Sequence, residues 1–136
     1  MSLETLFSAA GAVAMAGWLA LLVAPGRSWA NWRLAGQALP ALLALLYAGL
    51  LAWHAPGAEG GFATLADVAR LFATPGLLLA GWVHYLAFDL AIGAWICRRG
   101  TAEGVNPWLL RLCLPPTFLA GPIGLLLFLG LRAVRR

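Results

Sequence analysis

Apolar residues along this chain gather into four long runs, approximately 3–23, 33–53, 75–97 and 107–131, separated by short stretches rich in glycine, proline and arginine. Each run is long enough to cross a hydrocarbon core about 30 Å thick as a helix, where backbone groups must be satisfied within the segment itself. The pattern predicts an all-α integral membrane protein, a four-transmembrane-helix bundle forming a single domain over residues 1–136. Thr74-Pro75 and Asn106-Pro107 each set a good N-cap before a proline at the first helical position, which marks the starts of the third and fourth spans.

The connection between spans two and three, His54 to Thr74, opens with Pro56, Gly57, Gly60 and Gly61. It then becomes periodic, with Phe62, Leu65, Val68, Ala69 and Phe72 on one face and Asp67 and Arg70 on the other. This predicts a short amphipathic helix in the interface, with Thr64 and Asp67 resembling a capping box. A cover over the end of the bundle is the simpler expectation, and a substrate gate the alternative. The fourth run contains Leu114-Pro115-Pro116-Thr117-Phe118-Leu119-Ala120-Gly121-Pro122-Ile123-Gly124. Prolines free the carbonyls of the preceding turn, so the span should kink there, with the Thr117 hydroxyl as a cap and Thr117, Gly121 and Gly124 as a small face for close contact. Pro40 in the second span is a weaker case.

Composition agrees with the pattern and adds little to it: 62% of residues are hydrophobic and 10% charged. The net charge of +4 comes from nine arginines and no lysine. Arg27, Arg33, Arg98, Arg99, Arg111, Arg132, Arg135 and Arg136 stand at span ends and Arg70 in a connection, as expected for contact with membrane lipids and not for nucleic-acid binding. Five arginines on one side of the bundle against four on the other give no usable orientation. Trp29, Trp32, Trp53 and Trp108 stand near span ends as interfacial anchors, and Trp95 further fills the bundle. Glu4 stands where a signal peptide would carry basic residues, so the first span is expected to be retained. Cys97 and Cys113 belong to no Cys or His cluster and read as apolar fillers.

The candidate chemistry lies in Gly81-Trp82-Val83-His84-Tyr85-Leu86-Ala87-Phe88-Asp89-Leu90, because ionisable residues at membrane depth are costly and normally serve a site or a polar contact. At about 100° per residue, Gly81, His84, Tyr85, Phe88, Asp89 and Ile92 fall within an arc of about 140°. Tyr85 and Asp89, at i, i+4, can meet directly, His84 lies at the other edge of the arc, and Gly81 leaves room for a close approach. In the first run Glu4, Ser8, Gly11, Met15, Trp18 and Leu22 form a second stripe. If the two stripes face each other, His84, Asp89, Tyr85 and Glu4 converge as equipment for acid–base catalysis. Trp18, Trp82, Phe88, Gly81 and Thr117 would then bound an apolar binding slot. Alternatively, His84 and Asp89 are interhelical hydrogen-bonding partners. His54, His84, Asp89 and Glu4 suit a metal chemically but show no ligand spacing, so no metal is expected, and no phosphate loop or nucleophile elbow occurs.

The order of an N-terminal span with Gly17-Trp18 near its end, Leu71-Phe72-Ala73-Thr74-Pro75 before the segment from Gly81 to Asp89, and then Thr117-Phe118 with Gly121-Pro122-Ile123-Gly124 resembles the abscisic-acid-deficient-four-like family. The likeness covers almost the whole chain. It implies a small four-span membrane protein, and its plant members are associated with neoxanthin synthesis, in which an epoxide of violaxanthin opens and an allene forms without net redox change. By that resemblance the chain is expected to be a carotenoid- or isoprenoid-modifying isomerase, needing no cofactor; arginine without lysine and the abundance of Ala, Leu, Gly and Trp suggest a GC-rich bacterial coding sequence, and so a bacterial inner membrane. Its partners would be a lipid-soluble small molecule and membrane lipids, with a homo-oligomer compatible with either reading. The alternative is a non-catalytic pigment- or lipid-binding protein, or a small subunit of a membrane complex.

Overall fold

The computed structural model describes residues 1–25 and 29–134. Among these residues all regular structure is helical: α1 (Leu3–Val23), α2 (Trp29–Arg33), a π-helical segment (Leu34–Ala38), α3 (Leu39–His54), α4 (Leu65–Phe72), α5 (Pro75–Ala102), α6 (Pro107–Leu119) and α7 (Gly121–Val134). Three helical stretches are long and apolar enough to cross a membrane: α1, the continuous stretch Asn31–His54, and α5. Arg27, Arg135, Arg136 and the Trp29 side chain, expected among the interfacial residues, lie outside the described residues.

The helix limits follow local chemistry. Ser2 caps α1, its hydroxyl accepting from the Thr5 amide at 3.1 Å, and Asn106 caps α6 through the Trp108 amide at 2.9 Å. Pro75 and Pro107 occupy the first helical positions of α5 and α6. Pro40 has no N–H for the Gly36 carbonyl, and the ladder widens just ahead of it, with the Leu39 amide reaching back to Leu34. Thr64 caps α4: its hydroxyl accepts from the Asp67 amide at 3.1 Å and donates to the Asp67 carboxylate at 2.7 Å.

The fourth apolar run, expected as one kinked span over 107–131, is instead two helices that meet at Ala120, whose φ of −157° and ψ of 76° leave the helical region, and fold back into a hairpin, so that Leu110 of α6 and Phe128 of α7 both reach Gly100 of α5. Pro122 can give no amide to the Phe118 carbonyl, and Gly121 and Gly124 tolerate the close packing that a break produces. The Thr117 hydroxyl donates to the Cys113 carbonyl at 2.6 Å, a bond to the preceding turn of its own helix.

Helix α5 is the axis of the fold and packs against α1, the π-helical segment, α3, α4, α6 and α7. Its small residues let neighbours approach. A Cβ at Gly93 would stand 2.6 Å from the Trp18 indole, and one at Gly17 would stand 2.6 Å from Leu90. Trp18, Leu43, Val83 and Leu90 are buried in this main core, and Ile96, Leu110 and Phe128 form a second cluster toward the other end of α5. Trp53 and Trp108 project outward, 83% and 71% exposed, as interfacial anchors do, whereas Trp32 lies under the Arg98 guanidinium at 4.3 Å.

Polar ties close the end of the bundle where α1 and α5 finish. The α1 C-terminus has no basic residue in its last turn. Arg111 from α6 supplies one, its Nε donating to the Leu22 carbonyl at 2.9 Å and its Nη2 to the Val23 carbonyl at 3.1 Å. Asn31 adds bonds to the Ala20 and Ala24 carbonyls at 3.1 and 2.9 Å. At the end of α5, Glu103 accepts two bonds from Arg132 and one from Arg99, all 2.6 Å long. The Arg132 hydrogen bonds, and after them those from Arg99, hold the Glu103 carboxyl below its ordinary value of 4.5. A carboxyl lowered by folding contributes stability above its unfolded value and loses it as pH falls through the folded one. Glu103→Gln should therefore flatten the acid limb of the thermal-stability profile below about pH 4.5, measured as melting temperature in detergent micelles. Parallel acid limbs for variant and parent would refute this link.

Candidate functional site

The break between α6 and α7 is held by two residues one turn apart on α5. Tyr85 donates its hydroxyl to the Phe118 carbonyl at 2.8 Å, and Phe118 is the residue that loses its usual amide partner because Pro122 has none. Asp89 sits against the opposite lip. A Cβ on Gly121 would collide with its carboxylate, and the Gly121 amide and the Tyr85 hydroxyl are its polar neighbours. Asp89 is 8% exposed, and its Oδ2 has no hydrogen-bond partner among the described residues. A carboxylate at the start of α7 lies where the helix dipole favours negative charge. Carbonyls and amides freed at mid-helix are tolerated in a membrane where protein surrounds them, and such breaks commonly line ligand sites.

Two apolar grooves flank this polar point. One, about 450 Å³, lies between the start of α1 and the start of α5 and is lined by Leu3, Glu4, Phe7, Pro75, Leu78, Leu79 and Trp82. The other, about 150 Å³, lies between α1 and α6 and is lined by Met15, Trp18, Leu22, Leu114, Pro115 and Phe118. Aromatic contacts join them through Tyr85, which stacks on Trp82 with ring centroids 5.2 Å apart and bonds to Phe118, itself edge-on to Trp18 at 5.6 Å. Phe7 meets Trp82 across the first groove at 5.9 Å.

The four expected acid–base residues separate into three places. Tyr85 and Asp89 are together at the helix break. Glu4 is exposed in the first groove, joined to Tyr85 only by way of Trp82. His84 is exposed on the outer face of α5, with its ring 4.6 Å from Phe88 and 5.4 Å from Tyr47. The helical period explains the separation, since His84 and Asp89 stand at opposite edges of one arc and cannot both face the same neighbour.

Among the expected slot residues, Trp82 and Trp18 line the two grooves. Phe88, 60% exposed, accompanies His84 instead. Thr117 is fully buried, bonded within α6 and packed on Gly124. The room beside Gly81 is taken by Phe72 of α4, whose ring a Cβ there would meet at 3.0 Å. Gly76 likewise seats the His54 ring. Sequence reasoning missed Gly121 as the neighbour of Asp89 and Phe118 as the acceptor for Tyr85; the signal was Pro122, which leaves its acceptor four residues back unpaired. Among the described residues no three His, Cys, Asp or Glu side chains cluster as metal ligands would.

Apolar helices of membrane-crossing length, packed around a buried carboxylate, define a small helical protein compatible with membrane insertion. The ABA4-like family model, described as ABA DEFICIENT 4-like, matches residues 5–128, and the chain belongs to that family. The matched region includes Tyr85, Asp89 and the whole helix break. No curated protein and no solved structure matches the chain.

Proposed function

We propose that this chain is a membrane-embedded isomerase of a carotenoid or related isoprenoid lipid, in a bacterial inner membrane, with the chemistry at Asp89 and Tyr85. In this reading α6 and α7 form a hairpin that enters the bundle from the end where α5 finishes and turns at Asp89, and α4 lies in the interface, with its exposed Leu65 and the preceding Phe62 meeting lipid. The observation that carries the proposal is the unpartnered Oδ2 of buried Asp89, beside the Tyr85 hydroxyl and between two apolar grooves. The substrate class is taken from the neoxanthin synthesis associated with plant members of the family that the chain resembles.

The reaction conserves atoms. A polyene C–H bond breaks as its proton passes to the Asp89 carboxylate. The electron pair forms the new double bond of the allene while the epoxide C–O bond opens, and the oxygen takes a proton from the Tyr85 hydroxyl to become an alcohol. Proton return from Asp89 to Tyr85 restores the start, and no cofactor is consumed. His84 stands outside this step.

The test is a liquid-chromatography and mass profile of carotenoids from a violaxanthin-producing host expressing the parent chain, Asp89→Asn, Tyr85→Phe or His84→Ala at matched membrane levels. A new isomer should appear with the parent, fall at least about a hundredfold with Asp89→Asn, and persist with His84→Ala. No new isomer with the parent, or equal yield from Asp89→Asn, would overturn the proposal. A second reading is favoured by the 2.8 Å bond from Tyr85 to Phe118: a non-catalytic pigment- or lipid-binding subunit in which these residues only hold the broken helix. It predicts that Tyr85→Phe loses about 0.6–2 kcal/mol of stability with no product from any variant.

A further inference from the structure

We infer that Glu4 seats the terminal hydroxyl of a long, rod-shaped isoprenoid alcohol whose body lies along α1, across both grooves. This rests on the reading above, that the protein takes a lipid-soluble ligand, and adds where each end of it goes. Glu4 is the one charged side chain lining the larger groove, whose other walls are Leu3, Phe7, Pro75, Leu78, Leu79 and Trp82. It makes no hydrogen bond or ion pair among the described residues. In the first turn of α1 it is exposed, so its carboxylate is an acceptor with no protein donor at the edge of an apolar groove. A hydroxyl supplies that donor without bringing a second charge into apolar surroundings.

The second groove lies further along the same line of α1. Glu4, Met15, Trp18 and Leu22 share one face, and at 1.5 Å per residue the line from Glu4 to Leu22 is about 27 Å long. Between the grooves a Cβ on Gly11 would meet nothing within 4 Å, so the stripe is open there. The smaller groove presents no polar surface and suits the hydrocarbon end. A rod held by its hydroxyl at Glu4 and its tail at Trp18 passes, at an interior position, the Tyr85 ring that bridges Trp82 and Phe118, one turn of α5 from Asp89. Glu4 would thereby determine which carbon is presented to the carboxylate, acting as a specificity residue and not as an acid or base.

Photolabelling tests this with the full-length protein in lipid nanodiscs and two probes, a diazirine-bearing hexadecanol and its methyl ether, with labelled peptides mapped by mass spectrometry. The alcohol should label the segments around Phe7 and Trp82 about tenfold more than the ether, as expected for a hydrogen bond to a charged acceptor. Glu4→Leu should reduce alcohol labelling to the ether level, while labelling near Trp18 by either probe stays unchanged and reports an intact bundle. Equal labelling of the parent by alcohol and ether overturns the inference without relying on a variant, as does a Glu4→Leu protein that keeps the alcohol preference. Labelling and isomer formation fail independently. An alcohol preference without isomerisation leaves Glu4 a binding residue and removes the enzyme, whereas isomerisation without the preference leaves the enzyme and removes Glu4 from the ligand.

Discussion

Replacing Gly121 by alanine should cost the folded protein about 2–4 kcal/mol, far more than one methyl group on a lipid-facing helix. The added Cβ would enter the space of the Asp89 carboxylate, itself packed on α5 with 8% of its surface exposed. Either α7 moves off α5 or the carboxylate swings away from the Gly121 amide, leaving a charged group and an amide unpaired in apolar surroundings. Gly124→Ala should be comparably severe. Its Cβ would meet the Thr117 hydroxyl and backbone, and backbone cannot rotate aside as a side-chain tip can. Retention of fold during titration with a denaturing detergent would measure both. Adding Asp89→Ala to Gly121→Ala supplies a control, because once the carboxylate is gone the methyl has room, and the pair should cost less than the sum of its singles by about 1–2 kcal/mol. Superimposable denaturation of Gly121→Ala and the parent would show that Asp89 does not hold this lip of the break.

Much of this arrangement was legible in the sequence, and the limit of legibility has a physical cause. The apolar runs from Pro75 and Pro107 carry their own start signals, and α5 and α6 begin at those prolines, although the Thr74 side chain makes no capping bond. The pairing of Tyr85 with Asp89 follows from spacing alone. The helix breakers from Pro115 to Pro122 announced a distortion, but a kink and a break differ in whether a neighbour satisfies the freed groups. Here that neighbour is the hydroxyl of Tyr85, thirty-three positions earlier. A helical period assigns residues to faces without saying which face meets which helix, so Glu4 and His84 looked able to join Asp89 although they lie in different places. The space beside Gly81 read equally as a ligand's or a side chain's, and Phe72 fills it. Tertiary contacts, not local propensity, decided each of these.

The same logic gives the second large effect, at the crossing of α1 and α5. Gly93→Val should destabilise the bundle by about 1–3 kcal/mol or displace α1, because overpacking in a filled interior forces side chains off their rotamers. The Trp18 indole rests on Gly93, with ring atoms 2.6 and 2.7 Å from where a Cβ would stand. It cannot retreat, since Phe118 stands edge-on beside it at 5.6 Å and Trp18 is 3% exposed. One turn away, Gly17 receives Leu90 at 2.6 Å, so the helices interlock at two glycines and an added methyl at either separates both contacts. Trp18→Leu removes the obstructing ring and should restore most of the loss in the double variant, measured by the same detergent titration. If Gly93→Val is tolerated, or Trp18→Leu fails to rescue it, the indole is not the element that seats α1. Because Trp18 also walls the smaller groove, Gly93→Val should reduce labelling there by the methyl-ether probe, and the double variant should regain it. Recovery of both together would tie the packing of α1 on α5 to the shape of the groove that α1 walls.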